Sequence, residues 1–279
     1  MQKIGILTDT ACDLEAGYFQ QEGVKVLPLK IIYGETEYLD RVTIQPDEVY
    51  GRMPEEVATT SMPSVAEVLE TFEEFKKEGY THILSIHLSS GLSGTYGVVE
   101  MAAAQAEGIV VKVIDTKTLS MAQGFIVEHA KKWVDEGVQF EELISKVTNL
   151  MPKTKVFYVL ETLEYLRRGG RIGAVSASLG QILDLKPIIT LDTGGKYYTH
   201  VKARGRKKSV TEIYRLAKKA LDEGAHEMAV MHGGALEEGK ELLNRIQAET
   251  KLPLRLAQIS PALGVHTGPG LLGIVYVEK

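Results

Sequence analysis

The sequence predicts an α/β protein of two units, the first a parallel sheet with helices on both faces and the second a smaller mixed sheet with helices. Three observations carry this reading. Short apolar runs at 3–8, 24–32, 82–88, 109–114 and 154–160 alternate with helical patterns at about 64–78, 93–107, 118–136 and 139–151, as expected for neighbouring strands with helices crossing over them. After about residue 160 the pattern changes to strands joined through Asp192-Thr193-Gly194-Gly195, a strong hairpin signal. The length, 279 residues, suggests two domains rather than one. The units are placed at 1–160 and 161–279.

Each element has a local reason. In the helix expected over 64–78, Ser64 and Glu67 form a capping box, and Val65, Val68, Leu69, Phe72 and Phe75 mark its apolar face. This sets Thr60 and Ser61 just ahead of a helix start. The stretch Tyr33–Pro63, with prolines at 46, 54 and 63 and one weak helical piece near Pro46–Met53, reads as a lid or crossing loop. In the second unit, helices are expected at about 162–168, 174–183, 207–223 and 235–249. Strands are expected near 186–192, 196–203, 226–232, 252–258 and 272–278.

Composition narrows the class. Hydrophobic content of 44% and charged content of 25% are those of an ordinary globular protein. A net charge of −5 argues against a general binder of nucleic acid or anionic membrane surfaces. The single cysteine, Cys12, excludes an intramolecular disulfide or a multi-thiolate metal site and reads as a buried, inert thiol. Seven histidines show no metal-ligand spacing. Charges interrupt the apolar runs well before membrane-spanning length and the start lacks a signal peptide, so a cytoplasmic protein is expected.

The most informative segment is Ser89-Ser90-Gly91-Leu92-Ser93-Gly94-Thr95-Tyr96, a hydroxyl- and glycine-rich turn where a buried strand gives way to a helix. Free amides at a helix start, close backbone approach at glycine, and hydroxyl donors suit an anionic oxygen. Thr59-Thr60-Ser61-Met62-Pro63-Ser64 and Gly264-Val265-His266-Thr267-Gly268-Pro269-Gly270 are two further candidates. If the three converge, they form an acid-binding pocket between the domains, with hydroxyls and one imidazole but no lysine. His266 is read as a ligand-contacting loop residue. Asp9, Asp13 and Asp115 fall at strand ends, and Asp13 is read as the cap of the following helix.

Enzymatic readings are less well supplied. Gly91-Leu92-Ser93-Gly94-Thr95 approaches a nucleophile elbow, but Thr95 replaces the second required glycine. An acyl-ester or thioester hydrolase using Ser93 and His266 stays as the alternative. A phosphate- or sugar-phosphate-binding regulator is a third reading. No dinucleotide or ATP loop is present. Two cationic segments, Arg167, Arg168 and Arg171 around Gly169-Gly170, and Lys202, Arg204, Arg206, Lys207 and Lys208, suit docking of something acidic or phosphorylated.

Asp9-Thr10-Ala11-Cys12-Asp13, Thr60–Ser64, Ser89–Tyr96, Leu166-Arg167-Arg168-Gly169-Gly170-Arg171-Ile172-Gly173, Lys186-Pro187-Ile188-Ile189 and His266–Gly270 together resemble the DegV family of bacterial fatty-acid-binding proteins. The resemblance spans essentially the whole chain. It implies two α/β domains, with a long-chain fatty acid such as palmitate held by its carboxylate in the crevice and its acyl chain in a tunnel within the second unit. It also implies that some members present the acid to a separate fatty-acid kinase that makes an acyl phosphate. Carried over by motif, Ser61 and Ser93 would bind the carboxylate, with Thr60, Gly94, His266 and Thr267 around the head group. Arg167, Arg171, Arg204 and Arg206 are the candidates for docking the kinase. The bound acid is the ligand and no cofactor is expected. Thr10 stands where many relatives carry serine, and Met62 where many carry glutamine.

Overall fold

The computed structural model describes residues 2–178 and 185–279. In chain order the first half runs β1 (Ile4–Asp9), β2 (Val24–Leu27), β3 (Lys30–Tyr33), β4 (Thr36–Leu39), α1 (Pro46–Arg52), β5 (Thr59–Ser61), α2 (Val65–Lys77), β6 (His82–His87), α3 (Thr95–Ala103), β7 (Val110–Asp115), α4 (Met121–Asp135) and α5 (Phe140–Leu150). The second half runs β8 (Thr154–Val159), α6 (Glu164–Arg168), β9 (Ile188–Leu191), β10 (Tyr197–Val201), α7 (Arg206–Asp222), β11 (Glu227–Gly233), α8 (Leu236–Gln247), β12 (Arg255–Gln258), α9 (Pro261–Thr267) and β13 (Leu271–Val277). The helix expected over 174–183 lies partly outside the described residues, and Gly173–Ser178 is a 3-10 turn.

The first sheet is parallel throughout, in the order β2-β1-β6-β7. The second is mixed, in the order β10-β9-β8-β13-β11-β12, antiparallel except where β12 runs alongside β11. With six strands to four it is the wider sheet, not the smaller one. The run at 154–160 belongs to it as β8, whose pairing with β13 extends from Thr154↔Val277 to Val159↔Leu272. Composition alone cannot say which sheet recruits a continuously apolar strand, because both offer helices on both faces.

A single helix holds the two sheets together. The first turns of α4 are buried almost all round, from Met121 to Val127, because it packs on β1 and β6 on one side and on β8 and β13 on the other. Gly124 is needed there: a side chain would press its Cβ to 2.6 Å from the Cys12 carbonyl oxygen. The core cluster around α4 draws residues from Ile4 to Val277, so both units share it. Two smaller clusters lie on the outer faces, one under α2 and α3 and one under α7 and α8. Every residue of β13 is buried, Leu271, Val275 and Val277 toward α4 and Leu272, Ile274 and Tyr276 toward the outer helices.

The expected lid over 33–63 is instead largely structured. β4, β3 and β5 form a third, antiparallel sheet. Pro28 interrupts the apolar run 24–32, so Val24–Leu27 joins the parallel sheet while Lys30–Tyr33 starts the small one. β5 pairs Thr60 with Ile31 and Ser61 with Lys30, and this register fixes both hydroxyl residues. Asp13 is not a helix N-cap. It adopts a left-handed conformation, φ 57°, after a short 3-10 turn. Its buried carboxylate accepts from Ser120 Oγ at 2.6 Å and the Ser260 amide at 2.7 Å, with Arg41 at 3.7 Å. It therefore pins α4 and the start of α9 to the end of β1.

Candidate functional site

The three hydroxyl clusters converge. Thr60, Ser61 and Met62 from β5, Ser93 and Gly94 from the turn after β6, and His266 from α9 line one cavity of about 110 Å³, with Arg171. The rest of its wall is mainly apolar: Leu29, Leu88, Leu92, Leu119, Ala262 and Leu263, with Tyr197. The lining thus sets hydroxyls, an imidazole and a guanidinium among hydrocarbon side chains.

The turn after β6 divides its hydroxyls between structure and site. Ser89 Oγ donates to the Gly195 carbonyl at 2.8 Å, and Ser90 Oγ accepts from Lys117 Nζ at 2.9 Å. The first of these clamps the β9–β10 hairpin against the turn. A Cβ at Gly91 would lie 2.7 Å from the carbonyl oxygens of Gly194 and Gly195, so glycine there is a packing requirement. Ser93 faces the cavity, its hydroxyl 2.9 Å from that of buried Thr95. Among the described residues Ser61 makes only a 3.4 Å contact with its neighbour's carbonyl, so its hydroxyl is essentially uncommitted there.

His266 was expected on a loop, but it sits on α9. Ser260 caps that helix and Pro261 occupies its first turn. Its Nε2 lies 2.7 Å from Thr60 Oγ1, and its buried Nδ1 has no partner among the described residues. Burial, reinforced by the nearby Arg171 charge, pushes the imidazole down to about 4, so it is neutral at pH 7. Its ring packs against Gly169, where any side chain would collide with Nδ1. Thr267, placed around the head group by motif, does not line the cavity. It is buried, and its hydroxyl donates back to the Leu263 carbonyl at 3.1 Å, the usual outlet for a helical threonine.

The cationic segments separate. Gly170 turns the chain at φ 71°, which brings Arg171 to the cavity rather than to a docking face. Its Nε donates to the Leu92 carbonyl at 3.1 Å and its Nη1 to the Gly169 carbonyl. No carboxylate lies within ion-pair distance of it among the described residues. Arg167 and Arg168 both pair with Glu164. Arg206 is held by both oxygens of Glu238 at 3.2 and 2.6 Å and is not free to dock. Arg204, with Lys202, Lys207 and Lys208, is exposed.

Ser93 and His266 therefore have other hydrogen-bond partners, Thr95 and Thr60. A Ser-His-Asp array does occur, but elsewhere: Ser85 Oγ to His87 Nε2 at 2.7 Å, and His87 Nδ1 to Asp9 Oδ2 at 2.8 Å. All three are fully buried. Asp9 also accepts from the Leu88 and Ala11 amides, so the array braces the strand end that leads into the Ser89 turn. Cys12 is buried as expected, and burial pushes its thiol well above the ordinary range.

The fold and this crevice define an α/β protein whose cavity offers hydroxyls, a neutral imidazole and a guanidinium beside hydrocarbon side chains. The chain belongs to the DegV family: the model of that family, described as an uncharacterised protein family, matches residues 3–279. A DegV domain-containing protein of Clostridium acetobutylicum is 40% identical, with all of both chains covered. Among solved structures, a fatty-acid-binding DegV family protein from Thermus thermophilus is similar at 32% identity and a TM-score of 0.90, with both chains fully covered. A stearic-acid-binding protein from Eubacterium ventriosum is similar at 30% identity and a TM-score of 0.90, covering 99% of each chain. No helix among the described residues is long and apolar enough to cross a membrane.

Proposed function

We propose that this protein binds a long-chain fatty acid, with the carboxylate at Arg171 and the hydroxyls of the cavity and the chain against the leucines. The observation that carries the reading is Arg171: a partly buried guanidinium lining a largely apolar cavity without a carboxylate partner among the described residues. A ligand carboxylate supplies the missing counter-charge. Ser61 and Ser93 donate to its oxygens. If His266 Nε2–H donates to Thr60, the Thr60 hydroxyl proton is free for the ligand, so neutral His266 positions a donor without acting as a base. Gly94 lets Met62 pack closely on the turn: a Cβ there would lie 2.7 Å from Met62 Sδ. Support comes also from the fatty-acid-binding relatives.

Binding alone leaves the acid chemically unchanged. Presentation to a separate kinase is the finer part of the proposal, and within it the docking surface narrows to Arg204 with Lys202, Lys207 and Lys208, since Arg171 and Arg206 are committed elsewhere. Titration with palmitate and with its methyl ester tests the binding claim. The acid should bind at least about tenfold more tightly than the ester, because the ester cannot pair with Arg171. Equal affinity would overturn the carboxylate assignment.

A further inference from the structure

Apart from the residues that line the cavity, a separate constellation joins α4 and the start of β11. His129 on α4, His226 just before β11 and Glu227 at its first position bring three ligand atoms within 4.8 Å of one another. His129 Nε2 and Glu227 Oε1 are 2.6 Å apart. The His129 and His226 rings meet edge to face at 6.4 Å. His226 is exposed, and its side chain makes no hydrogen bond or ion pair among the described residues. We propose that these residues form a binding site for a borderline divalent cation of the zinc class, joining α4 to the start of β11 in the second sheet.

The donor set selects the ion. Two imidazoles and one carboxylate suit zinc or copper(II) far better than magnesium or calcium, which require mostly oxygen ligands. Ligands at about 2.0–2.2 Å from a tetrahedral ion lie roughly 3.4 Å from one another. Reaching that spacing requires the His129–Glu227 contact to open by less than an ångström and the exposed His226 ring to swing inward. Binding displaces the proton shared by His129 and Glu227. The fourth position faces a broad groove lined by Glu128, Lys132, Asp135 and Arg255, where water completes the coordination. Arg255 does not repel the ion with a free charge, since Glu128 holds it through both oxygens at 2.7 and 2.8 Å. An ion there would fasten a helix shared by both sheets to the start of β11.

The protein carries its own reporter. Its one tryptophan, Trp133, has its ring 5.4 Å from that of His129. The full-length, tag-free protein, stripped with a chelator and dialysed, is titrated with Zn²⁺ by calorimetry and with Cu²⁺ by fluorescence. The expected result is one saturable Zn²⁺ site and saturable quenching of Trp133 by Cu²⁺. His226→Ala and Glu227→Gln should each weaken Zn²⁺ at least about tenfold and remove the high-affinity quenching phase, while palmitate titration stays unchanged. Zn²⁺ should also raise the melting temperature of the wild type but not of His226→Ala, whose exposed site tolerates the change. Absence of saturable Zn²⁺ binding below about 1 mM, or affinity unaltered in both variants, would overturn the proposal and leave His129–Glu227 as an ordinary ion pair.

Discussion

Replacing Arg171 with glutamine keeps much of the side chain's length and a polar amide but removes the one cation that lines the cavity among the described residues. Two unit charges about 4 Å apart interact by about 4 kcal/mol in surroundings of effective dielectric 20. Part of that gain is offset by stripping water from the incoming carboxylate, so a charge-assisted hydrogen bond contributes about 1.5–3 kcal/mol net. Palmitate should therefore bind roughly 10–150-fold more weakly to Arg171→Gln, and palmitate methyl ester should bind as before. The same variant removes the charge that helps hold His266 down, so the imidazole should titrate at higher pH in ligand-free protein, measurable by NMR. The two readouts separate charge from packing, because loss of the bonds to Leu92 and Gly169 would weaken acid and ester together. Equal losses for both ligands, or no loss for either, would refute the assignment of Arg171 as the counter-ion.

Three further outcomes follow from the same geometry. Ser93→Ala and Ser61→Ala should each weaken palmitate by about 10–150-fold, and the double variant should fall short of the product if one carboxylate shares both donors, as titration calorimetry would show. Gly169→Ala should impair acid binding in a folded protein by driving the His266 ring off Thr60; wild-type affinity would contradict that packing. Asp40, where burial outweighs the 2.7 Å bond from Thr10, is pushed up to about 7, and Asp13 likewise to about 6. Between about pH 4 and these values the folded state holds protons that the unfolded chain has lost. Stability should therefore fall as pH rises through that window and level off above it. For Asp40 the change is at most on the order of 4 kcal/mol, and Asp40→Asn should flatten the denaturant-derived profile.

Apolar strands and helices with strong caps are legible in the sequence. The runs at 82–88 and 109–114 became β6 and β7, and Ser64–Glu67 does form the capping box that opens α2. β5 is three residues long, too short for any period to register, so the sheet that holds Thr60 and Ser61 was read as loop. The start of α9 carried a signal that went unused, Ser260 followed by Pro261, because the glycines at 264, 268 and 270 suggested a loop instead. Arg171 was visible as a charge but not as a direction: Gly170's positive φ decides which arginine of the segment turns inward. Spacing could never expose His129 with Glu227, since 98 residues separate them and only the packing of α4 between two sheets brings them together.

Occupancy of the cavity beside Arg171, Ser61 and Ser93 by a fatty acid is directly measurable. Mass spectrometry of an organic extract from the purified protein, quantified against protein concentration, tests it most directly. A long-chain fatty acid should be recovered at close to one per chain, or be taken up at that ratio when palmitate is added to stripped protein. An extract free of lipid, together with no binding of added palmitate, would contradict it.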